Sequence, residues 1–121
     1  MNKKKGKQIE LPIYKESYEL LLLSFKLIKD LTREYKYTLG EKIKNEITDL
    51  LMDVYRANKV KVKGLKLKYV SLAIEKIEVI RLLFRLLFDL KQISENHHVS
   101  VSCKIENVRR QLIGWEIFLK K

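Results

Sequence analysis

Pro12 is the only proline in a chain of 121 residues, and there are four glycines. Sandwiches and barrels need a turn residue every several positions, whereas long helices joined by few connections do not. The composition therefore points to helices. The length fits one domain that buries roughly two-thirds of the surface its unfolded form exposes. A hydrophobic share of 46% lies in the ordinary globular range and excludes a disordered basic tail.

Hydrophobic spacing divides the chain into four amphipathic segments. The first opens at Leu11-Pro12-Ile13, with proline in a first helical turn where its missing N–H is no loss. Tyr14, Tyr18, Leu21, Leu22, Phe25, Ile28, Leu31 and Tyr35 follow at steps of three and four, which predicts a core face. Lys15, Glu19, Lys26, Lys29 and Arg33 fill the other side. After the break at Lys36 to Gly40, Thr38 and Glu41 have capping-box spacing for a second helix. Its stripe is Ile43, Ile47, Leu50, Leu51 and Val54.

From Lys59 to Lys68, lysines alternate with apolar residues. A small hairpin turning at Gly64 fits the alternation, but four or five residues a side without a third strand is marginal. The preferred reading is a helix end, a loop and a new helix from about Lys66 to Ile93. That third helix places Tyr69, Leu72, Ala73, Ile77, Ile80, Leu83, Leu87 and Leu90 on one stripe. It carries a second stripe, Val79, Leu82, Leu86 and Ile93, on an adjacent face. A last helix, from Ser100 or Ser102, aligns Val101, Ile105, Val108, Leu112, Trp115 and Leu119. There is no internal repeat. The expected architecture is all-α, an antiparallel up-down four-helix bundle over residues 11–121, preceded by a basic flexible leader at 1–10.

Several function classes find no support. Cys103 is the only cysteine, which excludes an intramolecular disulfide framework and a cysteine zinc site. It reads as a small buried or half-buried hydrophobe. The lysine-rich start resembles the charged end of a signal peptide, but Gln8, Glu10, Pro12, Lys15 and Glu16 interrupt any apolar run after it. The most apolar stretch, Ile80 to Leu90, contains Arg81, Arg85 and Asp89, so no membrane span and a cytoplasmic location are expected. No Gly-rich phosphate loop, G-x-S-x-G turn or carboxylate pair in an apolar surround is present. His97 and His98 lack further ligand residues and read as solvated loop histidines. The expectation is a non-enzymatic protein with no metal and no cofactor.

The charge says more. Lys and Arg number 26 against 15 Asp and Glu, a formal net charge of +11. The basic residues cluster at Lys3, Lys4, Lys5 and Lys7, at Lys59, Lys61, Lys63, Lys66 and Lys68, and at Arg109, Arg110, Lys120 and Lys121. In an up-down bundle the connection after the second helix lies at the same end as both termini, so these groups can pool. Lysine clusters without acids attract polyanions. Nucleic acid is favoured over a surface that only confers solubility, and over a membrane surface. No recognition helix or aromatic stacking platform is visible, so binding of RNA and DNA through phosphates, largely independent of sequence, is expected.

Arg81 and Arg85 lie one turn apart between the two apolar stripes of the third helix. They either pair with Glu78 and Asp89 along the helix or offer guanidinium forks to phosphate or to a partner's carboxylates. The second stripe, if exposed, forms an apolar patch at the limit for a monomer. Self-association through Val79, Leu82, Leu86 and Ile93 is therefore expected.

Certain segments match a known pattern: Leu11-Pro-Ile-Tyr-Lys-x-x-Tyr18, Phe25-Lys-Leu-Ile-Lys-Asp30, and Tyr37-Thr-Leu-Gly40 with Ile43 and Ile47. Tyr55-Arg-Ala-Asn58 and the stretch from Ile105 to Gly114-Trp115 continue it. Together they resemble the accessory variability determinant proteins of diversity-generating retroelements. The broader superfamily includes four-helix-bundle proteins encoded in intervening sequences of ribosomal RNA genes. The resemblance implies a basic, barrel-like homopentamer of bundles, without catalytic activity, that binds RNA and DNA and partners a retroelement reverse transcriptase. It carries over to Arg56, Lys59, Lys61, Arg81, Arg85, Arg109 and Arg110 as nucleic-acid-binding positions. The alternatives are an intervening-sequence protein of undefined role, or an interaction module whose charge meets an acidic partner.

Overall fold

A computed structural model describes residues 12–121 of the chain. The leader at 1–10, with Lys3, Lys4, Lys5 and Lys7, and Leu11 lie outside the described residues. Four long helices are present: α1 (Pro12–Lys29), α3 (Leu39–Lys59), α4 (Lys63–Asp89) and α5 (Glu95–Leu119). The single-turn α2 (Arg33–Lys36) sits in the first connection. α1 packs against α3 and α5, and α4 packs against the same two, so the helices stand at the corners of a square with alternating direction. The fold is an all-α antiparallel four-helix bundle.

The core runs through Leu20, Ile28, Ile43, Ile47, Leu50, Ile77, Ile80, Phe84, Leu87, Ile105 and Leu112. A smaller cluster of Ala57, Val70 and Leu119, with Leu67, Tyr69 and Trp115 against it, closes the end where the α3–α4 connection meets the tail of α5.

The stripes of α3 and α5 lie where their spacing puts them. Ile43, Ile47, Leu50 and Val54 are buried, as are Val101, Ile105, Val108, Leu112 and Leu119, while Leu51 and Trp115 are half-buried. On α4 the buried residues are Val70, Ala73, Ile77, Ile80, Phe84 and Leu87, whereas Leu90 is exposed.

α1 departs from its expected face only in part: Ile28 and Leu31 are buried, and Tyr14, Leu21 and Tyr35 pack against the core as expected. Ile13, Ser17, Leu20, Ser24, Leu27 and Ile28 are buried, while Tyr18, Leu22 and Phe25 are exposed. Leu20 to Leu23 are four successive leucines, so the helix is apolar around most of its circumference and two registers compete. The adopted register points the small Ser17 and Ser24 inward, where neither hydroxyl has a hydrogen-bond partner among the described residues. Tyr35 belongs to α2 rather than to α1.

The connections differ from expectation in detail. Thr38 does not cap α3, because its hydroxyl donates to the Glu34 carbonyl at 2.7 Å. Gly40 is buried where α3 meets α1; a Cβ there would come within 2.8 Å of Ile28 Cγ2 and 3.2 Å of the Tyr35 carbonyl oxygen. Between α3 and α4 there is no hairpin, only Val60, Lys61 and Val62, and α4 begins at Lys63. It ends in a Schellman turn with Lys91 at φ 61°. There the Lys91 and Gln92 N–H groups donate to Phe88 and Leu87 carbonyls, each at 2.9 Å.

That turn corrects one interface residue. Ile93 lies beyond it, where the chain folds back over the bundle end, and is 8% exposed in the core. It is therefore not continuous with Val79, Leu82 and Leu86, which are exposed on the outer face of α4.

α5 starts earlier than expected, at Glu95, because Ser94 Oγ accepts the His97 N–H at 3.1 Å. His97 and His98 are thus first-turn helix residues and not loop residues. The His98 ring stacks on Phe88 with centroids 4.3 Å apart. Cys103 is exposed, not buried. Gln92 Oε1 accepts from both the N–H and the hydroxyl of Thr32 at 3.1 Å, tying the two connections at this end together.

Candidate nucleic-acid interface

No Asp or Glu occurs between Val54 and Ile74. The end of α3, the short link and the start of α4 carry Arg56, Lys59, Lys61, Lys63, Lys66 and Lys68 through that stretch. Leu119 packs against the same cluster as Ala57 and Val70, which brings Lys120 and Lys121 to this end as well. Lys59, Lys61, Lys63 and Lys68 are exposed, and none makes a salt bridge among the described residues.

Four members of the group are partly engaged: Lys120 lies 3.9 Å from Glu116, Lys59 Nζ sits 5.8 Å from the Tyr55 ring centre, and Lys66 and Arg56 contact oxygens of α3. Lys66 Nζ donates to the Ala57 carbonyl at 2.8 Å, a cation on the last turn of α3, where the helix dipole is negative. Arg56 lies 3.7 Å from Asp53. α4 opens with lysine, with no acidic residue in its first turn and no side-chain cap. Like charges thus meet the positive end of a helix dipole, which costs a few tenths of a kcal/mol and strengthens the local positive potential.

The arginines expected to join this site are elsewhere and already paired. Arg81 hydrogen-bonds Glu78, and Arg85 Nε donates to Asp89 at 3.1 Å. Arg109 Nε reaches Glu78 from α5 at 2.7 Å, with Glu106 at 3.6 Å. The hydrogen bonds from Arg81 and Arg109 hold the Glu78 carboxyl below the usual carboxylate range, and the bond to Glu78 raises Arg109 above the usual guanidinium value. Arg110 donates to Asn107 at 2.7 Å. The structure therefore separates the expected set into a lysine-rich bundle end and an arginine group along α4 and α5, ion-paired except at Arg110, which bonds the neutral Asn107.

A second basic feature escapes sequence reading. Between α1, α3 and the first connection lies a groove of about 500 Å³ lined by Leu22, Phe25, Lys26, Lys29, Lys36, Tyr37 and Lys44. A neighbouring hollow of about 290 Å³ is lined by Tyr14, Lys15, Tyr18 and Leu51. Lys44 Nζ sits 5.0 Å from the Phe25 ring centre, and the Arg33 guanidinium is 5.9 Å from that of Tyr37. Lys44 also lies 3.6 Å from Glu41. The signal is the aromatic stripe of α1, whose rings read as core because no other face of that helix looks more apolar.

Among the described residues no three His, Cys, Asp or Glu side chains gather as a metal site would require. No helix among them is long and apolar enough to cross a membrane.

No family model matches the chain, and no curated protein matches it. A solved structure does. It is a protein of unknown function from the S23 ribosomal protein family of Bacteroides thetaiotaomicron VPI-5482, superposing with a TM-score of 0.79 at 16% identity. The match covers 90% of this chain and 96% of that one. At that identity the likeness shows the shared fold, a helical bundle matched over nearly its whole length.

Proposed function

We propose that the protein is a non-enzymatic nucleic-acid-binding scaffold that grips phosphates with its lysine-rich end. The observation that carries this reading is the acid-free stretch from Val54 to Ile74, with Lys59, Lys61, Lys63 and Lys68 exposed and without salt-bridge partners among the described residues. Such a surface is suited to RNA and DNA with little regard to sequence.

Replacing Lys59, Lys61 and Lys63 together with alanine tests it by fluorescence anisotropy over a salt series. Each lost phosphate contact should flatten the slope of log K against log salt by about 0.7 to 0.9. An unchanged slope and affinity would remove this end from the interface. Failure of the unmodified protein to bind at low salt would remove the function.

The resemblance of the sequence supports a finer proposal, an accessory protein of a diversity-generating retroelement that holds template nucleic acid and a reverse transcriptase. Self-association, with a pentamer as the expected form, belongs to the same proposal, through the exposed Val79, Leu82 and Leu86. Five copies would carry about +55, a repulsion that a bound polyanion relieves. A second reading, the ribosomal RNA intervening-sequence branch, is favoured by the ribosomal-protein family name of the similar solved bundle. A reverse transcriptase gene beside this one, or an interrupted ribosomal RNA gene around it, separates the two.

A further inference from the structure

The outer face of α1 combines rings and ammonium groups in a way that neither packing nor solubility requires. The exposed Tyr18 and Phe25 lie on one side of the helix with Tyr14, which is half-buried against the core, over about 16 Å of its length. Tyr37 adds a fourth ring from the connection beyond. Phe25 is 41% exposed and Tyr37 62%. The main groove is rimmed by Lys26, Lys29, Lys36 and Lys44; no carboxylate is among its lining residues, and of the four lysines Lys44 alone has a salt-bridge partner among the described residues, Glu41 at 3.6 Å.

A ligand that fits must bring negative charge to the rim and flat apolar faces to the floor, repeatedly along one line. An acidic peptide supplies the charge without the flat faces. A second copy of this chain brings a net +11, and the chain's own start brings further lysines. A duplex supplies charge but keeps its base faces inside its own stack. A single strand supplies both.

We infer that this groove takes the unpaired bases of single-stranded RNA or DNA, stacked on Phe25 and Tyr37, with the adjoining phosphates on Lys26, Lys29, Lys36 and Lys44. The inference rests on the nucleic-acid reading above and adds a second, strand-selective site to it. A bound nucleotide replaces the present contact of Lys44 with the Phe25 ring by a base on the ring and a phosphate on the ammonium.

The test is a double variant, Phe25→Ala with Tyr37→Ala, whose exposed positions leave the core untouched; circular dichroism checks that the helices persist. Anisotropy is then measured with three labelled probes: a thymidine strand of about 12 nucleotides, an abasic strand of the same length, and a blunt duplex. The expected result is a loss of about tenfold or more on the thymidine strand, with abasic and duplex affinities changed less than about twofold. An unchanged affinity for the thymidine strand, or an equal loss on the abasic strand, overturns base stacking in the groove while leaving the lysine-end reading intact. Binding of none of the probes by the unmodified protein overturns both. Ring-dependent binding of polyglutamate would assign the groove to an acidic protein. A smaller sedimenting particle for the double variant would assign it to self-association. Either result overturns the inference.

Discussion

Asp53 on α3 and Lys76 on α4 meet at 2.8 Å, with the carboxylate 5% exposed and the lysine 22%. Arg56, at 3.7 Å from the other carboxylate oxygen, is the only further cation on it among the described residues. A buried charge left without its partner is strongly destabilising, whereas replacing both members by apolar groups is often neutral. Lys76→Met should therefore lower stability by about 2–3 kcal/mol, somewhat less than a fully buried pair would cost because Arg56 remains. Adding Asp53→Leu should recover most of that loss. Urea midpoints of the two single variants and the double variant check this; a double variant as weak as their sum would refute the pairing.

Self-association is read most directly at α4. Leu82, at 64% exposure, and Leu86, at 42%, face outward, while Ile93 is buried. Leu82→Glu with Leu86→Glu should leave the helical spectrum unchanged and yield smaller particles by sedimentation. Ile93→Glu should instead cost about 3 kcal/mol or more by burying a charge. Identical particle size with the double glutamate variant would exclude this face as an interface.

Two glycines should respond oppositely to alanine. At Gly114 nothing lies within 4 Å of where an alanine methyl would stand, so Gly114→Ala should gain about 0.5–1 kcal/mol from helix propensity. At Gly40 the methyl would press on Ile28 and the Tyr35 carbonyl, so Gly40→Ala should lose about 1–3 kcal/mol despite the same propensity gain. Thermal unfolding of the two variants decides both signs.

Acid should weaken the bundle through Glu78 and Glu19. Hydrogen bonds from Arg81 and Arg109 hold Glu78 below the ordinary carboxylate range, and the bond from Lys104 does the same for Glu19. A group lowered in the folded state contributes stability above its unfolded value, near about 4.3, and loses it as pH falls through the folded value. Lys104 is raised by Glu19, so its contribution holds below the ordinary lysine value and fades only in strong alkali. Urea midpoints should fall from about pH 4.5 downward. Glu78→Gln with Glu19→Gln should make that fall shallower; equal slopes would refute the assignment.

The sequence is most legible where one apolar stripe faces an unambiguous polar side. The stripes of α3 and α5 predict their buried faces almost residue for residue, and the lysine alternation from Lys59 marks a connection between helices. α1 departs in part from its expected face because four consecutive leucines leave its register to the neighbouring helices, and serines take the inward positions. The same ambiguity hides the aromatic groove. Arg109 gives no local sign of its partner, since Glu78 comes from 31 positions away. Thr38 has the right spacing for a cap, yet its hydroxyl goes to a carbonyl that only the α2 turn brings near.

Three of the four seams between neighbouring helices join segments consecutive in the chain. The fourth sets α1 against α5, where Lys104 meets Glu19 across 85 positions. Closing so long a loop costs about 2–3 kcal/mol more chain entropy than closing the link between α3 and α4. Consecutive pairs are therefore expected to assemble early, with the α1–α5 seam shutting last. Weakening that edge of the square, as in Glu19→Gln, should then speed unfolding with the folding rate barely changed, which the two arms of a urea chevron would check.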